Sequence, residues 1–309
     1  MTERDKKISS FSIRTQYDPV GFCIYCGFTE NLTDEHTLAS GMGGRHVLPK
    51  SSCIPCRDII APVERYCMRT LMHNARRFFG IRSHRKRPPE PSTIQIRKKS
   101  GEIADVTGDP HELPFMIVLP VFPNPTILSG KPTPTSFMGA NWHRQATNMM
   151  EFLEAHDAEY VMSKSIEPKK LARMIAKTAH AHTTAILGPG SFKPLLTDLI
   201  LGKPGEYFIE LVGGEIAPDE GRWEFVRPTP ETLNLYIVFD WFRETDGKCF
   251  YVAAIRFFAN LGAPTYFAVV GEPIPPRPPW RIKPEIAARL EPPHTIFAPR
   301  VAALPKKRP

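Results

Sequence analysis

The stretch CIYCGFTENLTDEHTLASGMGGRHVLPKSSCIPC, residues 23–56, holds four of this chain's six cysteines. They stand as two C-x-x-C pairs, Cys23/Cys26 and Cys53/Cys56, with 26 residues between the pairs. Each pair sets two sulfurs on one tight turn, and four thiolates complete a tetrahedral zinc site with no open position. The spacing therefore predicts a structural zinc held by Cys23, Cys26, Cys53 and Cys56. A closed four-sulfur site cannot activate water, so such a metal is a staple, and chemistry has to come from the residues between the pairs. Cys67 and Cys249 lack such neighbours and read as small apolar core residues.

Between the pairs lies Asp34-Glu35-His36, followed by the Gly-rich segment SGMGGRH, residues 40–46. A chain that enters at the first pair, turns back and leaves as a helix from the second has the outline of a treble clef. The glycines read as a turn that needs positive φ, and their backbone could also approach a ligand. Beyond Cys56, apolar Ile60, Val63, Cys67, Leu71 and Phe78 recur at helical spacing, with Arg65, Arg69 and Arg76 on other faces. Pro62 is close enough to the start of this helix to be tolerated or to kink its first turn.

Taken together, CIYCG…LTDEH…GGRHVLP…SCIPC resembles the zinc-stapled form of the HNH endonuclease motif, over residues 20–60. In that family a C-x-x-C pair is followed by an acidic residue and His, a Gly-rich hairpin, and a C-x-x-C pair that opens a helix. The resemblance implies an N-terminal treble-clef ββα-metal domain and metal-dependent hydrolysis of DNA phosphodiester bonds. It makes His36 the general base, a role that suits a neutral imidazole near pH 7. It makes Glu35 a ligand of a catalytic divalent ion, magnesium or manganese, with Asp34 beside it able to share that role. The family follows its last cysteine with Asn or His, where this chain has Arg57. Asp58 is the favoured substitute, as catalytic residue and metal ligand; His46 and Glu64 are the other candidates, and Asp58 is equally suited to cap the helix. The segments IAKTAHAHTTAILG (175–188) and FKPLLTDLILG (192–202) also resemble the long uncharacterised extension of bacterial HNH proteins. Arg57 leaves a second reading open, a non-catalytic zinc-stapled protein that binds nucleic acid.

Charge supports an anionic partner. The formal net charge is +8, and from Arg65 to Pro89 there are eight Lys or Arg residues and no Asp or Glu. Arg76, Arg77, Arg82, Arg85, Lys86 and Arg87 in this run, with Arg45 and Lys50 on the hairpin, are the candidate contacts to the phosphates of double-stranded DNA. No run approaches the roughly 20 apolar residues of a membrane helix. The opening MTERDKKISS lacks the apolar core of a signal peptide, so a cytoplasmic protein is expected.

The fold class expected is α+β, with the HNH-like zinc domain and its basic helix over residues 1–90 and a mixed α+β domain over 91–309. In the second part, residues 91–108 alternate and turn at Ser100-Gly101 as a hairpin would, and 109–140 read as Pro-rich extended loops around FMIVLP. Residues 165–188 give a long helix, Ser165 as cap and Gly188 as stop, with a stripe of Leu171, Ile175, Ala179 and Ile186. His180 and His182, two apart on that helix, read as packing or surface residues. LNLYIVFD, CFYVAAIRFF and TYFAVVG read as strands of one sheet, GRWEF and DWFRE as core aromatics or base-stacking candidates, and the tail after Gly271 as irregular.

Overall fold

The computed structural model describes residues 15–44, 46–78, 81, 91–129, 141–161, 166–204, 207–215, 238–245, 248–258 and 263–274. Arg45, Arg82, Arg85, Lys86, Arg87, Ser165, the GRWEF segment and the tail beyond 274 lie outside these residues, as do the side chains of DWFRE.

Strands β1 (Thr15–Gln16), β2 (Leu32–His36) and β3 (His46–Cys53) form a sheet in the order β1-β3-β2, with β1 parallel and β2 antiparallel to β3. β3 runs straight into helix α1 (Ile54–Tyr66), so the unit reads strand, loop, strand, helix. The link across residues 37–45 is not a tight hairpin turn; it contains a 3-10 turn at Ser40–Met42. Gly43 closes that turn at φ 81°, in the left-handed region that favours glycine. Gly44 answers a different need: a Cβ there would fall 1.9 Å from the carbonyl oxygen of Leu38.

Along α1 the buried positions are Cys56, Ile60 and Val63, the spacing of one helix face. Pro62 sits inside this helix and is exposed. A wider π-type turn, Cys67–Leu71, carries the chain into α2 (His73–Phe78).

The expected hairpin is β4 (Ser92–Lys98) against β5 (Ile103–Gly108), with Gly101 at φ 90° in its turn. FMIVLP corrects its reading as an extended loop, because it lies within strand β6 (Phe115–Val121), whose alternate residues Ile117 and Leu119 are fully buried. A short helix α3 (Thr126–Ser129) follows, and β7 (Asn141–Thr147) returns antiparallel to β6. Helix α4 (Met149–Ala155) and strand β8 (Ala158–Val161) then bring β8 onto β4.

Helix α5 (Pro168–Leu187) starts later than expected, with Glu167 at its N-cap and proline in its first turn, and stops at Gly188. After β9 (Phe192–Pro194), α6 (Thr197–Leu201) and α7 (Phe208–Leu211) come β10 (Val212–Glu215), β11 (Val238–Thr245), β12 (Lys248–Ile255) and β13 (Thr265–Pro273). CFYVAAIRFF and TYFAVVG therefore supply neighbouring strands of one antiparallel sheet, ordered β10-β13-β12-β11 with β9 also on β13; LNLYIVFD enters it through Val238–Asp240, its residues 233–237 lying outside those described.

α5 occupies the centre. It packs on one side against α1 and on the other against β12 and β13, so residues 171–186 are buried except Arg173. A one-sided stripe is thus corrected to a helix enclosed all round, which is why His180 and His182 are both buried. One hydrophobic core runs from Cys23 through α5 to Val270, across residue 90, and a smaller cluster gathers Ile94, Ile96, Leu113, Phe152 and Ala158. The fold is mixed α+β, with the cysteine cluster in its N-terminal ββα region. No helix among the described residues is long and apolar enough to cross a membrane.

Candidate metal centre and buried ion triad

The first cysteine pair sits on a turn closed by the Gly27 amide, which donates to the Cys23 carbonyl at 2.8 Å with Gly27 at φ 79°. The Ile24 amide donates to the carbonyl of Ser51 at 2.9 Å, which lashes this turn to β3. The second pair spans the strand–helix junction: Cys53 ends β3 and is the N-cap of α1, and Cys56 lies in the helix's first turn. The four Sγ atoms all lie within 4.8 Å of one another, with Cys26 and Cys53 3.6 Å apart. A disulfide would need about 2.05 Å. A tetrahedral zinc with Zn–S bonds of about 2.3 Å puts its sulfurs about 3.8 Å apart. The donor set and its spacing fit zinc. Burial pushes the Cys23 and Cys56 thiols up, so metal capture displaces their protons.

Glu35 turns inward from β2, where a bulge between Thr33 and Glu35 shifts the register before Glu35 meets Leu48 and His36 meets Val47. There Glu35 meets Lys177 of α5. The Lys177 Nζ lies 2.8 Å from Glu35 Oε1 and 2.8 Å from Glu64 Oε1 of α1, and it also donates to the main-chain oxygen of His36. The His36 oxygen takes a directed hydrogen bond from the ammonium, whereas Glu64 Oε1 is held as an ion pair without one. The side chains of Lys177, Glu35 and Glu64 are 1%, 10% and 18% exposed, so the triad is a buried one. Burial alone would lower the lysine pKa; the carboxylates of Glu35 and Glu64 outweigh it and hold Lys177 well above the usual lysine range.

Two more buried polar side chains line this region. The Tyr25 hydroxyl lies beside Glu35 with no properly directed hydrogen bond; burial first, then the charges of Glu35 and Glu64, push its phenol well up. His180 Nε2 donates to the Ile24 carbonyl at 2.8 Å, and burial takes the ring down to about 4, so it is neutral. Its ring packs against Tyr25 and Phe192.

The other sequence candidates are scattered. His36 ends β2 half-buried, while Asp34 is exposed and accepts from the Lys50 amide at 3.3 Å. His46 Nδ1 lies 3.4 Å from the Tyr17 hydroxyl. Asp58 neither caps α1, since Cys53 holds that position, nor approaches Glu35. It is 62% exposed and paired with Arg57 at 2.9 Å. Glu64, six residues on and so about 120° round the helix, is the acid that reaches the interior.

Among the described residues the four cysteines are the one set of His, Cys, Asp or Glu that brings three or more ligand atoms together for a metal. The residues expected to hold magnesium or manganese therefore do not fit it. Glu35 is taken by an ammonium, and Asp58 stands apart from it with Arg57.

Arg76 and Arg65 divide the basic run. Arg76 donates to the carbonyls of Gly41 and Met68, pinning the 37–45 loop to α2, and burial lowers its pKa to about 10. Arg76 thus engages its Nε and Nη1 donors with the protein's own carbonyls. Arg77 is half-buried, whereas Arg57, Arg65, Arg69 and Lys50 are exposed.

Lys177 is the residue that sequence reasoning passed over. The stripe of Leu171, Ile175 and Ala179 places Lys177 on the far side of the helix, the expected solvent side. The signal was its setting: Arg173, Met174, His180 and Ala181, its neighbours one turn away, include no acid, so a counter-charge for a buried Lys177 had to come from another element.

No family model, curated protein or solved structure matches this chain.

Proposed function

We propose that this chain binds duplex nucleic acid through a zinc-stapled ββα unit of the HNH type, and that it does so without metal-dependent strand cleavage. The observation that carries the second half is Lys177, whose ammonium already occupies the place between Glu35 and Glu64. The first half is supported by Arg57, Arg65 and Arg69, which lie exposed on the α1 side of the unit, and by a net charge of +8. Arginine forks suit phosphate oxygens, and such contacts are largely independent of sequence.

A second reading is hydrolysis of DNA phosphodiester bonds with His36 as general base. It is favoured by one observation, the position of His36 at the end of the first strand in a strand–loop–strand–helix order.

Gel-shift titrations at several salt concentrations, run beside plasmid nicking with magnesium or manganese, separate the readings. Salt-sensitive binding with no nicking is expected for the wild type. Divalent-dependent nicking that disappears in His36→Ala would replace this reading with the hydrolytic one.

A further inference from the structure

We infer that Glu35 and Glu64 form a cation site whose resident cation is the Lys177 ammonium, and that without this ammonium the same oxygens take a divalent ion of calcium's size. This holds whether or not the chain binds nucleic acid.

Two observations beyond the acidic pair carry it. Three oxygens converge on the end of Lys177, one from each carboxylate and the His36 carbonyl, and the buried Tyr25 hydroxyl, which no directed hydrogen bond engages, lies beside Glu35. Such an all-oxygen set is the kind that hard cations use. The second observation is charge. Two buried carboxylates meet one ammonium at 2.8 Å, so with that ammonium removed the pair demands another cation.

Size decides which ion could replace the ammonium. The carboxylate oxygens stand 2.8 Å from Nζ. Calcium binds oxygen at about 2.3–2.6 Å, in loose geometry, whereas magnesium demands an octahedron at about 2.0–2.1 Å. The contraction needed is small for calcium and large for magnesium. Lys177 thus does the work of a metal with a covalently attached charge supplied by α5 from the far side of the core.

The test is calorimetric titration of calcium into the zinc-loaded full chain, as wild type, Glu35→Gln, Lys177→Met and Glu35→Gln/Lys177→Met. The wild type and Glu35→Gln should show no saturable heat. Lys177→Met should gain one saturable site per chain, weaker for magnesium, and the double variant should lose it. A calcium site in the wild type that Glu35→Gln removes would overturn the assignment of Lys177 as the resident cation. Absence of a site in folded, zinc-replete Lys177→Met would overturn the cation site itself. If Lys177→Met is unfolded in buffer, calcium should restore its thermal transition, since a ligand that binds only the native state stabilises it. No restoration in millimolar calcium would likewise overturn the inference.

Discussion

Lys177 Nζ and Glu35 Oε1 meet at 2.8 Å, joining the central helix to the strand that ends in His36. With Glu64 completing the triad, the contact ties three elements together: β2, α1 and α5. Its partners are local to neither end of the chain. That gives the triad a large effect on stability if one member is removed, because the remaining charges stay buried without compensation.

Lys177→Ala is therefore expected to destabilise the protein by about 3–5 kcal/mol, the usual cost of breaking a buried ion pair. Asp58→Ala, which removes only the exposed pair with Arg57, should change stability by less than about 1 kcal/mol. Urea unfolding at saturating zinc measures both. Similar losses for the two variants would contradict a buried triad.

His180 makes stability pH-dependent. Its folded pKa of about 4 lies below the ordinary 6.5, so the unfolded chain binds the extra proton between these values. Stability from this group is fully present above pH 6.5 and is lost as pH falls toward about 4. The loss amounts to about 3 kcal/mol. His180→Gln keeps a donor for the Ile24 carbonyl but does not titrate there, so its stability should fall less steeply across the same window. Parallel pH profiles for the two proteins would show that His180 is not held neutral.

Elemental analysis should find about one zinc per chain, the stoichiometry of a closed four-thiolate site. Cys53→Ser should lose it and loosen the junction of β3 and α1, because Cys53 belongs to the four-sulfur cluster and is also the N-cap position of the helix. Cys67→Ser, at a buried thiol outside the four-cysteine cluster that donates to the Lys170 carbonyl, should keep full zinc content. Equal zinc in Cys53→Ser and the wild type would place the metal elsewhere.

Arg65→Ala/Arg69→Ala should weaken duplex binding and make the salt dependence shallower by about 1.8 in log–log slope, from about 0.9 per lost phosphate contact. Arg76→Ala should lower stability and leave the slope alone, since its guanidinium serves Gly41 and Met68. A slope change in Arg76→Ala alone would reverse these assignments.

What the amino-acid sequence determined by itself was the part governed by neighbours in the chain. Two C-x-x-C pairs dictate their own turns, a strand leading into Cys53 dictates where α1 starts, and β-branched runs dictate the strands of the large sheet. Which charged residues are buried was decided only by the tertiary structure. Lys177 looks like a solvent-facing lysine until α1 and the sheet enclose α5 on both sides. Arg65 and Arg76 belong to one basic run, yet the π-type turn between them sends one outward and the other under the 37–45 loop. Glu64, and not Asp58, reaches Glu35's side of the core because of its place round the helix. The physical reason is common to all three. A charge leaves water only where distant segments supply the oxygens or counter-charge that offset its desolvation, and spacing along the chain carries no record of those partners.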